Sequence, residues 1–337
     1  MRHVVCGLAA AALASAAMAQ PPDLFERHFG PPGRDGVSGF RPGERLALLG
    51  KTLFFDARLS GTGNTACASC HDPRHAFAEP RRIAISDNGR PGRRNSPSLL
   101  DVAFRPRLMW DGRFRTLEEQ ALAPFQQGEM GIGVDLALRR VRSDRRYVHM
   151  FRAALGQRPT AQGMARALAA FQRTLMSGAS RVDRFLLQKE PVLTPLELDG
   201  FQIFNGEAGC SNCHRPFPLR RDGRVHGRPL FTDFQFHNLG VGVRPDGFAD
   251  PGRIALTGID AEWGAFRTPS LRNVAMAPPY MHDGSLATLE EVVEFYNAGG
   301  RPNPNLSPLI RPLFLDGYEK AALVAFLRAL ADEGYED

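Results

Sequence analysis

Lysine is nearly absent. Lys51, Lys189 and Lys320 are the only three in 337 residues, although the chain carries 42 cationic side chains and a formal net charge of +6. Almost all the positive charge is arginine, whose rigid fork suits planar carboxylates better than an ammonium does. A genome that favours arginine codons gives the same excess, so the bias assigns no single arginine to a partner. Long apolar runs are missing too. After residue 19 no stretch is long enough to span a bilayer. Alternating patterns are scarce, which excludes a sizeable half-buried sheet. Tryptophan occurs twice and cysteine five times.

What is present begins with an export signal. Arg2 and His3 precede the apolar, Ala-rich stretch Val4 to Ala17, and Ala17-Met18-Ala19 is a small-x-small site before Gln20. Residues 1–19 are expected to be a cleaved signal peptide and the mature protein periplasmic, with no membrane span. Nucleic-acid binding is then a poor explanation for the basic charge. A hydrophobic content of 43% supports globular cores, and the length allows two domains.

Cys6 leaves with the signal. The other four cysteines form Cys67-Ala-Ser-Cys70-His71 and Cys210-Ser-Asn-Cys213-His214. Cys-x-x-Cys-His is the attachment signal for c-type haem. Two thiols add across the porphyrin vinyl groups, and the adjacent His becomes the proximal iron ligand. A redox dithiol needs no His beside its second Cys, and a zinc site would need both pairs to converge. Two full copies in an exported chain favour two covalently bound haems. No mature cysteine then remains for a disulfide, and haem propionates would offset part of the positive charge.

Helical spacing marks residues 44–55, 134–155, 161–176 and the last helix from Asp316 to Ala331. Thr116 with Glu119, and Thr288 with Glu291, read as capping boxes. Thr194 caps a helix with Pro195 in its first turn, and Gly299-Gly300 stops the helix that Thr288 opens. Residues 72–115 are rich in breakers and read as a long functional loop, and residues 217–268 are again rich in Gly, Pro and Arg. The expected fold is mainly α: an irregular arm over 20–43, then two c-type cytochrome domains over 44–178 and 179–337, each with one haem, joined with long irregular loops.

In this order, several motifs resemble the bacterial di-haem cytochrome c peroxidase and MauG family over nearly all of the mature chain. They are Leu49-Gly-Lys-Thr-Leu-Phe-Phe-Asp56, the two haem motifs, Arg94-Asn95-Ser-Pro97, Trp110-Asp-Gly-Arg113 and Glu129-Met-Gly131. Pro269-Ser-Leu-Arg-Asn-Val274 leading to Pro279-Tyr-Met-His-Asp-Gly284 completes them. The resemblance implies a peroxidatic haem on His71, with Glu129, Gln120 and Pro124 in its distal pocket and Trp110 between the two haems. It also implies a structural Ca²⁺ between the domains, held by the Asn95 side chain and the backbone carbonyls of Ala277 and Pro279. A hard, oxygen-rich site of that kind suits calcium. A buried Glu can carry the proton in peroxide cleavage, because burial raises its pKa toward neutrality.

Two features depart from conventional peroxidases of the family, and a third departs from MauG. Tyr296 stands where a Met would ligate the second haem, as in MauG. It shares a helix face with Leu289, Val292 and Val293, and Met281, Met276 and Tyr280 are its rivals. The loop Ile83 to Arg93 contains no His to block the first iron, and His75 lies just after the proximal ligand. Ala208 stands where MauG has the surface Trp that faces its protein substrate, so methylamine dehydrogenase maturation is not supported. Trp263 receives no role. The expected function is a MauG-like peroxidase that uses hydrogen peroxide to form a high-valent iron state shared between two haems and oxidises aromatic side chains of an exported partner. A conventional cytochrome c peroxidase, fed by a small cytochrome or cupredoxin, and a non-enzymatic electron carrier or sensor are the alternatives.

Overall fold

The computed structural model describes residues 41–216, 219–221, 224–226 and 229–333. The expected signal peptide, and the arm up to residue 40, lie outside them. The longer helices are α1 (Pro42–Phe54), α2 (Leu117–Ala121), α3 (Val134–Ser143), α4 (Arg145–Leu155), α5 (Ala161–Gln172), α6 (Pro195–Asn205), α7 (Leu289–Asn297) and α8 (Gly317–Arg328). Strands are short and pair in twos: β1 (Leu219–Arg221) with β2 (Arg224–His226), β3 (Phe236–Asn238) with β6 (Ala265–Arg267), and β4 (Val243–Arg244) with β5 (Gly247–Phe248). The described chain is mainly helical, and none of its helices is long and apolar enough to cross a membrane.

Local chemistry sets the helix ends. Apolar spacing predicts one helical stretch over 134–155, and the chain forms α3 and α4 instead. The Asp144 carboxylate accepts from the Arg146 amide at 2.8 Å and starts a new helix there. Thr116 and Glu119 make the expected reciprocal box at the start of α2. The box expected at α7 is looser. Thr288 accepts from the Glu291 amide, but the Glu291 carboxylate takes the Ala287 amide at 2.6 Å rather than that of Thr288.

Among the described residues two large apolar cores form, beside a small cluster of Val102, Leu108, Leu117 and Ala169. One draws on residues from Ala47 to Leu175, the other on residues from Val182 to Leu330. Each rests on one close helix crossing. In the first, α1 meets α5 at Gly50, where a Cβ would run into the Ala167 carbonyl. In the second, α6 meets α8 at Gly200, where a Cβ would run into the Ala322 carbonyl. Phe54 lies on Phe171 at 5.1 Å and Phe204 on Phe326 at 5.0 Å, so the crossings share their aromatic packing.

The likeness extends beyond the helices. Pro97-Ser-Leu99 recurs as Pro269-Ser-Leu271, Met109-Trp-Asp-Gly112 as Met281-His-Asp-Gly284, and Thr116-Leu-Glu-Glu119 as Thr288-Leu-Glu-Glu291, all at one constant offset. Backbone shape follows: Asp101 and Asn273 both have φ 56°, and Met109 and Met281 have φ 68° and 72°. The halves bond to each other reciprocally. The Asn95 amide donates to the His282 carbonyl at 2.8 Å, and the Arg267 amide donates to the Trp110 carbonyl at 2.8 Å. Under the offset these are the same bond made twice, as across a two-fold axis. Ion pairs reinforce the joint. Arg94 reaches Asp250 at 2.7 Å, and the buried Arg272, paired with Asp183 in its own half, reaches Asp101 at 3.5 Å and the Ser177 hydroxyl at 2.7 Å.

Candidate active site

Each Cys-x-x-Cys-His motif opens as a single 3₁₀ turn, Cys67–Ser69 and Cys210–Asn212, which brings both thiols and the following His to one side. His71 Nδ1 lies 3.0 Å from the Phe77 carbonyl and His214 Nδ1 lies 2.9 Å from the Phe231 carbonyl. A carbonyl partner fixes Nδ1 as the protonated nitrogen, so Nε2 carries the lone pair. Burial pulls both histidines below the usual imidazole value, which keeps that lone pair free.

The two motifs open onto separate cavities. The first, of about 680 Å³, is lined by Cys67, Cys70 and His71. The second, of about 240 Å³, is lined by Cys210, Cys213 and His214. Two Cys pairs in separate cavities cannot share one zinc ion, which overturns that reading of the spacing. Burial pushes the Cys67, Cys70 and Cys210 thiols up to about 12. A redox dithiol needs the opposite shift.

Glu129, Gln120, Pro124 and Trp110 all line the first cavity with His71. The Glu129 Oε2 is buried and has no hydrogen-bond partner. Burial is the main reason its pKa stands above the ordinary value, opposed by its own backbone amide and by Arg113. Gln172 Oε1 and Arg113 Nε are buried and partnerless as well, and both residues line this cavity. Polar groups in that state fit a bound group better than an apolar core. The Ile83 to Arg93 loop lines the cavity without a histidine, and His71 is the only His that does so among the described residues. His75 lies elsewhere, beside Asp72.

The chain belongs to the di-haem cytochrome c peroxidase and MauG family. Residues 44–191 match the family model described as di-haem cytochrome c peroxidase. A methylamine utilization protein MauG of Methylorubrum extorquens is 38% identical over 86% of this chain and 79% of its own length. Cytochrome-c peroxidase IdrP1 of Denitromonas iodatirespirans is 35% identical over 98% and 93%. The crystal structure of a MauG-like protein associated with microbial copper homeostasis superposes with a TM-score of 0.75, at 36% identity, covering 90% of this chain and 93% of that one. The protein is thus an oxidoreductase of a di-haem family acting on hydrogen peroxide, which sets aside the non-enzymatic carrier.

The second cavity gathers most of the remaining expected residues. Tyr296, Met281 and Tyr280 all line it, as do Val292 and Val293 from the same face of α7. Met276 does not. It packs against the first core. Burial raises the Tyr296 phenol well above its ordinary value, so its hydroxyl stays neutral unless a cation lies against it. Asn95, Ala277 and Pro279 also line this cavity. The Asn95 amide nitrogen donates to the Glu79 and Arg81 carbonyls at 3.1 and 2.9 Å, which turns its oxygen the other way. Among the described residues that oxygen and the Ala277 and Pro279 carbonyls accept no hydrogen bond. Ala208 lines the cavity wall, and the half-exposed Trp263 packs edge-on to Phe248 at 5.6 Å, away from both cavities.

Trp110 lines both cavities, and its indole N–H donates to the Asn95 carbonyl at 2.8 Å. Sequence reasoning missed its counterpart. His282 lies edge-on to Trp110 at 6.4 Å and stacks on Phe266 at 3.6 Å. Burial brings its pKa down to about 4, so the ring is neutral. The repeated Met-x-Asp-Gly was the signal that could have found it.

Proposed function

We propose that the protein is a periplasmic, MauG-like peroxidase that draws oxidising equivalents from hydrogen peroxide and takes electrons from aromatic side chains of an exported partner protein. The observation that carries the peroxide step is the buried, partnerless Glu129 Oε2 in the His71 cavity. Haem, bound through the two Cys-x-x-Cys-His motifs, supplies the iron at which the O–O bond is split and the sites that store the oxidising equivalents.

The chain's residues do the rest. His71 and His214 offer Nε2 as proximal ligands. Glu129 takes a proton from one peroxide oxygen and returns it to the other, which leaves as water. Gln120 and Pro124 shape the space around the peroxide and hold water out. Trp110 offers its ring as the stepping stone between the cavities. Tyr296 is the proposed sixth ligand in the second cavity. A hard phenolate there stabilises oxidised iron, whereas the soft Met thioether would favour reduced iron. Asn95 with the Ala277 and Pro279 carbonyls is the proposed calcium site, between domains divided near residues 178–193.

A conventional cytochrome c peroxidase is the second reading. The likeness to IdrP1 and the presence of Met281 in the second cavity support it. EPR of the ferric protein before and after one equivalent of peroxide separates the two. One high-spin and one low-spin signal, both lost on peroxide, and a low-spin signal altered by Tyr296→Phe but not by Met281→Leu, is the expected result. Two low-spin haems inert to peroxide until reduced would overturn the MauG-like reading.

A further inference from the structure

Many arginines line the two cavities, and most are answered within the chain or by water. Arg94 has Asp250 and Asp111, Arg113 has Asp111, and Arg272 has Asp183. Arg90, Arg93 and Arg311 are exposed. Two arginines differ. Arg105 lines the His71 cavity, and its guanidinium donates only to the Leu100 carbonyl, at 2.8 Å. Arg267 lines the second cavity at 2% exposure and donates to the Thr268 carbonyl at 2.9 Å and the Met109 carbonyl at 3.4 Å. Among the described residues neither has a carboxylate within ion-pair distance.

Such a pair is strongly unfavourable as it stands. Taking a guanidinium out of water needs a counter-charge, and backbone carbonyls supply only partial ones. The two also lie close enough to repel. Burial brings Arg267 down to about 9, and Arg105 adds to that. Burial brings the half-buried Arg105 itself down to about 10, opposed by the field of the Asp101 carboxylate, which lies beyond ion-pair distance. A chain keeps two like charges inside only where something anionic arrives between them.

The two-fold likeness of the halves supports the same point. The offset that turns Trp110 into His282 turns Asn95 into Arg267. It also carries Ala277, whose carbonyl would help to hold calcium, onto Arg105. The first member of each pair belongs to the proposed cation site on one side of the axis. On the other side stand two guanidiniums, a cationic centre made of protein alone.

We propose that Arg105 and Arg267 are the carboxylate receptors for the cofactors, each taking a propionate of the haem in its own cavity. Propionates are the only anionic groups a haem carries, and a guanidinium fork matches a carboxylate with two parallel N–H donors. The position follows from the backbone. Arg267 is tied to the Met109 and Trp110 carbonyls, and Trp110 lines both cavities. The Arg267 receptor would thus stand beside the residue proposed to pass electrons between the cavities. This inference rests on the two-haem reading above.

The test uses the holoenzyme, with haems counted per chain by intact mass and each haem followed by spectroelectrochemical titration across the neutral pH range. Arg105→Gln is expected to lower the potential of the His71 haem, because removing a nearby cation favours ferric iron. A propionate without its cation also titrates near neutrality, so that potential should now fall with rising pH more steeply than in the wild type. Arg267→Gln should do the same to the His214 haem. Arg105→Lys and Arg267→Lys should lie between the wild type and the Gln forms. Gln variants that hold two haems and keep the wild-type potentials with the wild-type pH dependence would overturn the proposal. If a Gln variant fails to load haem, loading restored by Lys supports the need for a cation, and loading lost with Lys as well overturns it. A wild-type chain without two covalent haems would sink the cofactor reading itself, which the mass count reports separately.

Discussion

Glu129→Gln is the substitution that bears most directly on the mechanism. Glutamine keeps the shape and one oxygen, but it cannot hold a proton in transit. The side chain sits in the His71 cavity with a buried oxygen that nothing else in the chain engages, so its loss breaks no hydrogen bond at that atom. Removing a positioned acid–base group costs about 10²- to 10⁴-fold in rate. That corresponds to about 3–5 kcal/mol at about 1.36 kcal/mol per tenfold. Stopped-flow mixing of the ferric enzyme with peroxide reads the rate directly, and the resting spectrum checks that both haems are intact. The wild-type rate should rise with pH through the elevated carboxyl pKa, and the variant should lack that limb. Stability moves the other way. Because the folded-state pKa is raised, the folded chain binds that proton more tightly than the unfolded chain. Stability is therefore full below the unfolded value and falls as pH rises through the folded one. Glu129→Gln should remove that fall. A variant that reacts with peroxide as fast as the wild type would refute the proton-carrier role.

Gly50→Ala and Gly200→Ala each drive a methyl into a helix carbonyl, and overpacking of that kind costs about 1–3 kcal/mol, read as a lower denaturant midpoint. Arg272→Met leaves Asp183 buried without its partner, at a cost of about 3–5 kcal/mol in the same measurement. Tyr296→Phe should alter the low-spin EPR signal and leave the high-spin one unchanged. The calcium site proposed at Asn95, Ala277 and Pro279 requires that a chelator lower the thermal midpoint and that Ca²⁺ restore it where Mg²⁺ does not, since Mg²⁺ holds its own waters and demands a tighter octahedron.

The sequence was most legible where function is local and contiguous. Cys67 to His71 and Cys210 to His214 state their chemistry in five residues each, and Thr116 and Thr194 mark their helices by capping alone. Placement on a face was legible for Tyr296, since the spacing of Leu289, Val292 and Val293 fixed it. Contacts between distant residues were not. Arg105 and Arg267 look like any other arginine in an arginine-rich chain, and only burial and the lack of a carboxylate set them apart. His282 was within a quoted motif, yet its stacking on Phe266 and its edge against Trp110 depend on how the two halves meet. The break at Asp144 was missed because apolar spacing runs through it while the side chain there competes for the backbone.

The two cavities differ in what they need. Every residue lining the first comes from positions 54 to 172. The second borrows Ala78, Asn95, Pro97, Ser98 and Trp110 from the earlier half of the chain. For cavity walls, as distinct from the reciprocal bonds at the joint, the borrowing therefore runs in one direction. Synthesis proceeds from the N-terminus, so the segment that emerges first is the one whose pocket waits for nothing that follows, and the later segment arrives to find its missing wall already built.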